Sequence, residues 1–276
     1  MDEELLTRAA GAIGEAEALV IAAGAGMGVD SGLPDFRGPQ GFWRAYPPYQ
    51  KLGLAFEDLA NPRWFHDDPA LAWGFYGHRL ALYRRTTPHA GFGVLRSIAA
   101  RMAHGAFVFT SNVDGAFQRA GVDATRVCEV HGAIEVLQCT EARCRGLWSA
   151  EGVEVDVDEA SFRARPPLPA CPRCGAMARP NILMFGDWGW DSSRSDEQGA
   201  RLEEFLRATR SARTVVIECG AGTAIPSVRR FSERLQAGGA TLVRINLREP
   251  EGGSIGLSSG AKDALAAIAA RLPALR

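Results

Sequence analysis

The chain has 276 residues, of which 46% are hydrophobic and 23% charged, and its formal net charge is -1. This composition excludes a disordered chain and is sufficient for one large domain and a smaller one. Because the charges nearly balance, no global basic field attracts nucleic acid or anionic lipid, and we expect a protein or small-molecule partner.

The first residues of the chain suggest a cytoplasmic location and an N-terminal helix. Residues 1–6 are acidic where a secretory signal peptide would be basic, and the sequence contains no apolar run long enough to span a bilayer. We therefore expect a cytoplasmic protein with no membrane partner. Leu5, Leu6, Ala9 and Ile13 recur at helical spacing and predict a helix over 3–16.

A glycine-rich stretch, residues 24–38, follows directly on the apolar run 18–23. A short apolar run bounded by glycines predicts a buried parallel strand, and glycines beyond its carboxyl end let backbone amides approach a phosphate. Dehydrogenases carry G-x-G-x-x-G at this point. Here Gly24 and Gly26 are followed by Val29 at the third position. The pattern predicts a nucleotide cradle of a different class.

The next stretch, residues 38–88, is rich in aromatic residues and proline. An insertion of this size after a first strand usually forms a small module over the ligand cleft. We therefore predict an inserted helical module here.

Strands and helices then alternate to the end of the chain. The apolar patterns predict strands at 106–109, 127–130, 214–218 and 241–245, and helices near 196–210, 227–237 and 260–271. Such alternation is typical of an α/β fold with a doubly wound parallel sheet. Ligands bind outside the carboxyl ends of such strands, so we expect the loops after the strands at 18–23, 106–109 and 127–130 to meet in one crevice.

Four cysteines form two closely spaced pairs, Cys139-x4-Cys144 and Cys171-x2-Cys174. This is zinc-ribbon spacing, and in a reducing cytosol such thiolates bind zinc more often than they form disulfides. Because four sulfur ligands leave no position open for water, the zinc is expected to be structural. The two remaining cysteines lie in apolar, strand-like runs and are expected to be core residues: Cys128 and Cys219.

Five motifs occur in order along the chain: the cradle G-A-G-x-x-x-x-S-G-x-P-D-F-R-G at 24–38, T-S-N-V-D at 110–114, His131-Gly132, R-P-N-I-L-M-F-G-D at 179–187, and Ile245-Asn246. Together they resemble the signature of the sirtuins, a family of NAD-dependent protein deacylases. The resemblance covers roughly residues 15–270. It implies a Rossmann-like NAD-binding domain (1–37, 89–135 and 181–276), an inserted helical module (38–88) and a zinc-binding small domain (136–180).

The resemblance also implies roles for individual residues. His131 is the general base for a ribose hydroxyl, a role suited to histidine because its ordinary pKa lies near neutral pH. Asn112 and Asp114 hold the nicotinamide carboxamide and are grouped with His131 as catalytic. Phe185 and Gly186 contact the acylated substrate. The residues implied to bind the cofactor NAD are Gly24, Ala25, Gly26, Asp35, Phe36, Arg37, Ser111, Asn112, Asp114, Gly220 and Asn246.

Acyl preference depends on the inserted module. Phe75-Tyr76-Gly77-His78-Arg79 resembles the F-Y-x-x-R of the desuccinylase and demalonylase branch, in which Tyr and Arg hold the acidic end of the acyl chain. Residues three apart on a helix share one face, and a guanidinium can grip a carboxylate in a bidentate fork. An amphipathic helix also places such pairs together by chance, so both interpretations stay open for Tyr76 and Arg79.

Several positions depart from the sirtuin pattern. Gly28 and Ser111 stand where the family usually has Ser and Gln, and Asp187 stands where it has Glu. The late G-T-S-L-x-V-x-P motif is shortened here to the segment 220–226, which ends in Pro226. The departures lie mainly on the ribose side of the cofactor, so we expect NAD to bind with altered ribose contacts and an altered acceptor.

Two functional classes compete. A deacylase would accept an extended peptide between the zinc ribbon and the Rossmann-like domain by strand addition. The same NAD cleft could instead serve ADP-ribosyl transfer or NAD hydrolysis. A binding-only sensor is disfavoured because binding alone does not require His131. Trp188 and Trp190 fit either stacking on an acceptor or filling of the core. We expect an acylated protein or peptide partner and a monomer or small homo-oligomer.

Overall fold

The computed structural model describes residues 2–34 and 38–272. Three of the residues implied to bind the cofactor, Asp35, Phe36 and Arg37, lie outside the described residues. The strands are β1 (Ala18–Ala23), β2 (Ala106–Thr110), β3 (Val127–Glu129), β4 (Gly132–Cys139), β5 (Leu147–Ser149), β6 (Val157–Asp158), β7 (Arg163–Ala164), β8 (Ala178–Ile182), β9 (Thr214–Cys219), β10 (Thr241–Ile245) and β11 (Ile255–Leu257).

Among the described residues, six α-helices follow one another between β1 and β2, and three further α-helices lie after β8. The α-helices are α1 (Glu3–Glu15), α2 (Gly38–Ala45), α3 (Pro47–Lys51), α4 (Phe56–Leu59), α5 (Trp64–Asp67), α6 (Pro69–Arg85), α7 (Ala90–Ala99), α8 (Ala116–Arg119), α9 (Ser193–Ala208), α10 (Ser227–Ala237) and α11 (Ala261–Ala269). Short 3-10 helices lie at Ala25–Ser31 and Ala124–Arg126.

Six strands form a parallel sheet in the order β11-β10-β9-β1-β2-β3. In chain order, β2 and β3 are added to one side of β1, and β9, β10 and β11 are then added to its other side. Strand β1 is buried along its whole length, because it is central in the sheet and both of its faces are covered. Its last residue, Ala23, lies beside both Thr110 and Cys219. The predicted doubly wound α/β fold is confirmed, and its switch point is at β1 and β9.

Helices cover both faces of this sheet. Helices α1, α7 and α11 pack on one face through side chains such as Leu6, Phe92 and Leu265. Helices α9 and α10 pack on the other face through Phe205 and Phe231. Each helix contributes an apolar stripe, and the sheet strands contribute the matching apolar surfaces.

A second core joins the helices of residues 38–88 to a small antiparallel sheet. The sheet order is β5-β4-β8, and the hairpin β6-β7 lies beside α6. The indole of Trp73 on α6 donates a hydrogen bond to the Ala178 carbonyl at 2.9 Å. Helix α6 approaches the hairpin so closely that a Cβ on Gly74 would lie 1.9 Å from the Phe162 oxygen. The helical insertion and the cysteine-bearing segment are therefore packed as one body.

Among the residues described, no helix is both long and apolar enough to cross a membrane.

Candidate active site

A cavity of about 620 Å³ opens where β1, β2, β3 and β9 end. Its volume falls within the range of roughly 300–1,000 Å³ that is usual for small-molecule sites. The loops after all four strands contribute to its walls, together with α4 and α6 from the inserted helices. Ten of the residues implied by the sequence line it: Gly24, Ala25, Tyr76, Arg79, Ser111, Asn112, Asp114, His131, Phe185 and Gly220.

Three other implied residues are described but do not line the cavity: Gly26, Gly186 and Asn246. Asn246 is buried and organises the loops beside the cavity. Its amide nitrogen donates to the Ala221 carbonyl at 2.7 Å, and its side-chain oxygen accepts from the backbone N–H groups of Arg248 and Glu249 at 3.1 Å each. Asn246 thus holds the β9 and β10 loops together.

The loop after β1 packs directly against the loop after β9. A Cβ on Gly26 would lie 2.7 Å from the Gly220 Cα, and a Cβ on Gly24 would lie 2.8 Å from the Ala221 Cα. Gly220 has a φ of +62°, in the left-handed region that favours glycine. These contacts explain why glycine is needed at two positions of the cradle and at Gly220 in the loop that packs against it.

Asn112 is fixed by hydrogen bonds at the end of β2. Its amide nitrogen donates to the Gly24 carbonyl at 3.0 Å, and its backbone N–H donates to the Thr110 hydroxyl at 3.0 Å. The Thr110 hydroxyl in turn donates to the Ala23 carbonyl at 2.9 Å. The polar loop after β2 is therefore tied to the loop that begins the nucleotide cradle.

Asp114 is a buried carboxyl group at the cavity wall. One oxygen accepts the backbone N–H of Ala116 at 2.8 Å. Burial nevertheless raises the pKa of Asp114 above its ordinary value, because desolvation disfavours the charged form. This carboxyl group can therefore act as a hydrogen-bond partner for an amide in a largely dry site.

His131 lies in the short loop that follows β3, and hydrogen bonds fix the backbone at His131 and at the residue before it. The N–H of Leu183 donates to the His131 carbonyl at 3.0 Å, and the N–H of Val130 donates to the Thr110 carbonyl at 3.0 Å. Burial lowers the pKa of His131 below its ordinary value. The imidazole is therefore neutral at physiological pH and able to accept a proton.

Tyr76 and Arg79 on α6 form another part of the cavity wall. The Tyr76 side chain is fully buried, and its hydroxyl has no hydrogen-bond partner among the described residues. Burial raises the pKa of Tyr76 to about 12, with the nearby Arg79 opposing the shift. Arg79 donates from Nε and Nη2 to the hydroxyl of Tyr83 at 3.1 and 2.8 Å. Its guanidinium carbon lies 5.1 Å from the centre of the Phe75 ring.

Sequence reasoning missed several wall residues. Tyr83 lies one helical turn beyond Arg79 on α6, a spacing from which its contact was readable. Thr223 donates to the Glu249 carboxylate at 2.7 Å across the β9 and β10 loops. Loops carry weak sequence signals, so this contact was not predictable from spacing. Further wall residues come from the loop after β1, from α4, and from the loops after β9 and β10: Leu33, Pro34, Phe56, Glu57, Gly222, Ala224, Ile225 and Arg248.

The departures from the sirtuin pattern have local structural explanations at two positions. A Cβ on Gly28 would lie 3.0 Å from Leu33, whose side chain forms part of the cavity wall. The Asp187 carboxylate is fully buried against the guanidinium of Arg179, with Nη1 3.2 Å from Oδ1. Both changes are absorbed by neighbouring side chains.

The two tryptophans after Asp187 differ in environment. The Trp188 side chain is 100% exposed, whereas Trp190 is half-buried and its indole nitrogen has no partner among the described residues. Core filling is therefore wrong for Trp188.

The four cysteines of the small sheet converge. Their sulfur atoms all lie within 4.8 Å of one another. The sulfur atoms of Cys139 and Cys174 are 3.5 Å apart, and those of Cys144 and Cys171 are 3.7 Å apart. Tetrahedral zinc with bonds of about 2.3 Å places its sulfur ligands about 3.8 Å apart. The cluster therefore fits the predicted structural zinc.

The fold and the cavity define a Rossmann-like protein with a four-cysteine small domain and a histidine facing a nucleotide cradle. The profile of the Sir2 family matches residues 24–203. The chain belongs to this family, which confirms the resemblance to the sirtuins.

Two curated relatives and one solved structure illustrate the similarity. NAD-dependent protein deacylase 1 of Archaeoglobus fulgidus is 34% identical over 190 residues, 68% of this chain and 66% of that protein. NAD-dependent protein deacylase sirtuin-5, mitochondrial, of Danio rerio is 30% identical over 188 residues, 63% of this chain and 58% of that protein. The matched segments thus span 66% and 58% of these two relatives, less than two thirds of either. The structure of a Sir2 homolog–NAD complex aligns with a TM-score of 0.72 and 27% identity, covering 98% of this chain and 93% of that chain.

Proposed function

We propose that the protein is an NAD-dependent protein-lysine deacylase of the sirtuin type, which releases nicotinamide and O-acyl-ADP-ribose. The observation that carries this proposal is the cavity that joins the nucleotide cradle, Asn112, His131 and the Tyr76–Arg79 pair. Family membership and the similarity to a Sir2 homolog–NAD complex support NAD as the cofactor.

The cofactor lies across the switch point of the sheet in this proposal. The β1 loop and the β9 loop hold its phosphates, and the nicotinamide end faces Asn112 and Asp114 on the β2 loop. When bound, NAD supplies the ribose carbon that the acyl oxygen attacks as nicotinamide leaves. Asp35, Phe36 and Arg37, which lie outside the described residues, belong to the loop proposed to close over it.

His131 is the proposed general base. Its burial keeps the imidazole neutral, so the ring can take the proton of a ribose hydroxyl at physiological pH. The apolar residues around the base, such as Val113 and Ile182, limit the access of water. A dry site favours attack by the acyl oxygen over hydrolysis.

We propose that the acyl pocket accepts acidic chains such as succinyl and malonyl. The Tyr76 hydroxyl is a buried donor without a partner among the described residues, and Tyr76 and Arg79 both contribute to the cavity wall. A buried unpartnered hydroxyl costs about 1–3 kcal/mol, a cost that a bound carboxylate would remove. Arginine is suited to carboxylates because its guanidinium donates two parallel hydrogen bonds.

The acylated peptide is proposed to enter beside β8. Leu183 and Phe185 are each 39% exposed and line the cavity mouth, and Trp188 is fully exposed a few residues further on. Side chains of this kind offer an apolar surface for an extended peptide added as a strand. The partner is therefore an acylated protein or peptide. The division into the three domains given above and the cytoplasmic location stay part of this proposal.

The test is mass spectrometry of the products formed from NAD and peptides carrying acetyl-, malonyl- or succinyl-lysine. We expect deacylated peptide, nicotinamide and O-acyl-ADP-ribose in equal amounts, with the acidic acyl groups preferred. The His131→Asn variant serves as the control and is expected to bind NAD without turnover. Nicotinamide release without loss of any acyl group would replace this proposal by ADP-ribosyl transfer or NAD hydrolysis.

A further inference from the structure

We propose that Ser227 is a positioning residue for His131, whose ring it holds at the cavity through a hydrogen bond to Nε2. This inference rests on the proposed role of His131 as the general base. It assigns a task to a residue that lies outside the motifs shared with the sirtuins.

The geometry pairs the two side chains directly. The Ser227 Oγ lies 3.4 Å from the His131 Nε2. Among the described residues, no other side-chain hydrogen bond is formed by either the His131 ring or the Ser227 hydroxyl. Hydrogen bonds of catalytic groups are often long before substrate binds and shorten in the reacting complex.

The Ser227 hydroxyl has no capping task that would explain it. Ser227 is the first residue of α10, the N-cap is Pro226, and no side chain caps this helix end. A serine at a helix start usually stabilises the helix by accepting a backbone N–H. Here the hydroxyl faces the imidazole instead.

Helix α10 holds Ser227 in place because it is anchored to the sheet at several points. The Phe231 ring stacks on Phe109 of β2, with ring centres 3.8 Å apart. Arg229 is buried and donates from Nε to the Ala221 carbonyl at 3.1 Å, and from Nη2 to the Glu249 carbonyl. A hydroxyl carried by a fixed helix can restrict the rotation of a neighbouring ring.

The segment 220–226 leads directly into the helix that carries the serine. This segment runs from the end of β9 to Pro226, and Arg230 already donates its N–H to the Pro226 carbonyl at 2.9 Å. The helix therefore begins directly after the proline, which brings Ser227 to the imidazole. The segment that departs from the sirtuin pattern thus leads into the residue that faces the proposed base.

A hydroxyl suits this task because it both donates and accepts. When the neutral ring carries its proton on Nε2, it donates that N–H to the Ser227 hydroxyl and leaves Nδ1 free, so the pair persists when Nδ1 takes the proton of the ribose hydroxyl. No proton has to pass to the serine. A neutral hydrogen bond of this kind corresponds to about a two- to tenfold effect on a rate that depends on ring orientation.

The test combines nuclear magnetic resonance of the His131 ring with kinetics on the zinc-loaded protein. Histidine is labelled with ¹⁵N, and the His131→Asn variant identifies the ring resonances. We expect the Ser227→Ala variant to shift the His131 Nε2 resonance and to lower kcat about two- to tenfold, with KM for NAD unchanged. The Ser227→Thr variant retains the hydroxyl and should restore both values.

The matched control removes a hydroxyl elsewhere on α10. Ser232 is fully buried and donates to the Val228 carbonyl at 3.1 Å, so Ser232→Ala is expected to lower stability without moving the His131 resonances. Identical Nε2 resonances in the wild-type protein and Ser227→Ala would overturn the inference. If the wild-type protein showed no deacylation, the proposed function would fail while the resonance shift still reported the contact itself.

Discussion

Replacing Tyr76 by phenylalanine separates a structural role from a functional one. The substitution removes one oxygen from a fully buried side chain, and that oxygen has no hydrogen-bond partner among the described residues. An unsatisfied buried hydroxyl costs about 1–3 kcal/mol. Tyr76→Phe is therefore expected to raise the free energy of unfolding. In a domain of this size each kcal/mol corresponds to about 2–4 °C in Tm.

The same substitution is expected to impair turnover of acidic acyl groups. A hydrogen bond to a charged group contributes about 1.5–3 kcal/mol, which is about 10- to 150-fold in kcat/KM. We expect that loss for succinyl- and malonyl-lysine peptides only. Acetyl-lysine has no carboxylate, so its kcat/KM should stay unchanged. Thermal unfolding and competition between the acylated peptides measure the two effects on the same protein.

A buried tyrosine outside the cavity serves as the control. The Tyr49 hydroxyl donates to the Phe162 carbonyl at 3.0 Å, so Tyr49→Phe removes a satisfied bond. We expect this variant to lose about 0.5–1.5 kcal/mol of stability with the acyl preference unchanged. The reasoning about Tyr76 is refuted if Tyr76→Phe is destabilised like the control and keeps the wild-type ratio of succinyl to acetyl turnover.

Three further predictions concern the base, the metal and the cradle. Because burial lowers the pKa of His131, kcat/KM should fall with decreasing pH only below about pH 6.5. A pH–rate profile in which kcat/KM already falls above that pH would contradict this prediction. Elemental analysis should find one zinc per chain, and Cys171→Ser or chelation should lower Tm; an unchanged Tm after complete zinc removal would contradict the structural role. Gly26→Ala should lower the free energy of unfolding by about 1–3 kcal/mol through overpacking, whereas Gly11→Ala should raise it by about 0.5–1 kcal/mol, because a Cβ on Gly11 meets nothing within 4 Å. Equal unfolding curves for the two variants would show that the cradle tolerates a side chain.

The parts of the fold that were readable in the sequence are those with strong local signals. Strand β1 was predictable because an unbroken apolar run is required where both faces of a parallel strand are buried. The zinc cluster was predictable because short cysteine spacings already place sulfur atoms on one turn. The convergence of Asn112 and His131 was predictable from the rule that ligands bind outside the carboxyl ends of parallel strands.

The parts that were not readable depend on contacts between distant segments. Ser227 and His131 are 96 residues apart in the chain, and no periodicity relates them. The adjacency of Tyr76 and Arg79 follows from helical spacing, but the burial of the Tyr76 hydroxyl depends on how α5 and the small sheet pack around α6. The exposure of Trp188 was not readable either, because tryptophan is highly buried on average, whereas the structure exposes this side chain completely.

The departures from the sirtuin pattern have unequal consequences. At Gly28 the side chain of Leu33 occupies the space beside the glycine, and at Asp187 the guanidinium of Arg179 neutralises the carboxylate. The effects of these two changes are therefore confined to the local packing. The shortened segment 220–226 differs, because the residue that follows it, Ser227, faces the proposed base. A change that is absorbed by packing affects stability first, whereas a change beside the base affects the rate. Differences in activity between this protein and its relatives are therefore expected to originate in the loop after β9.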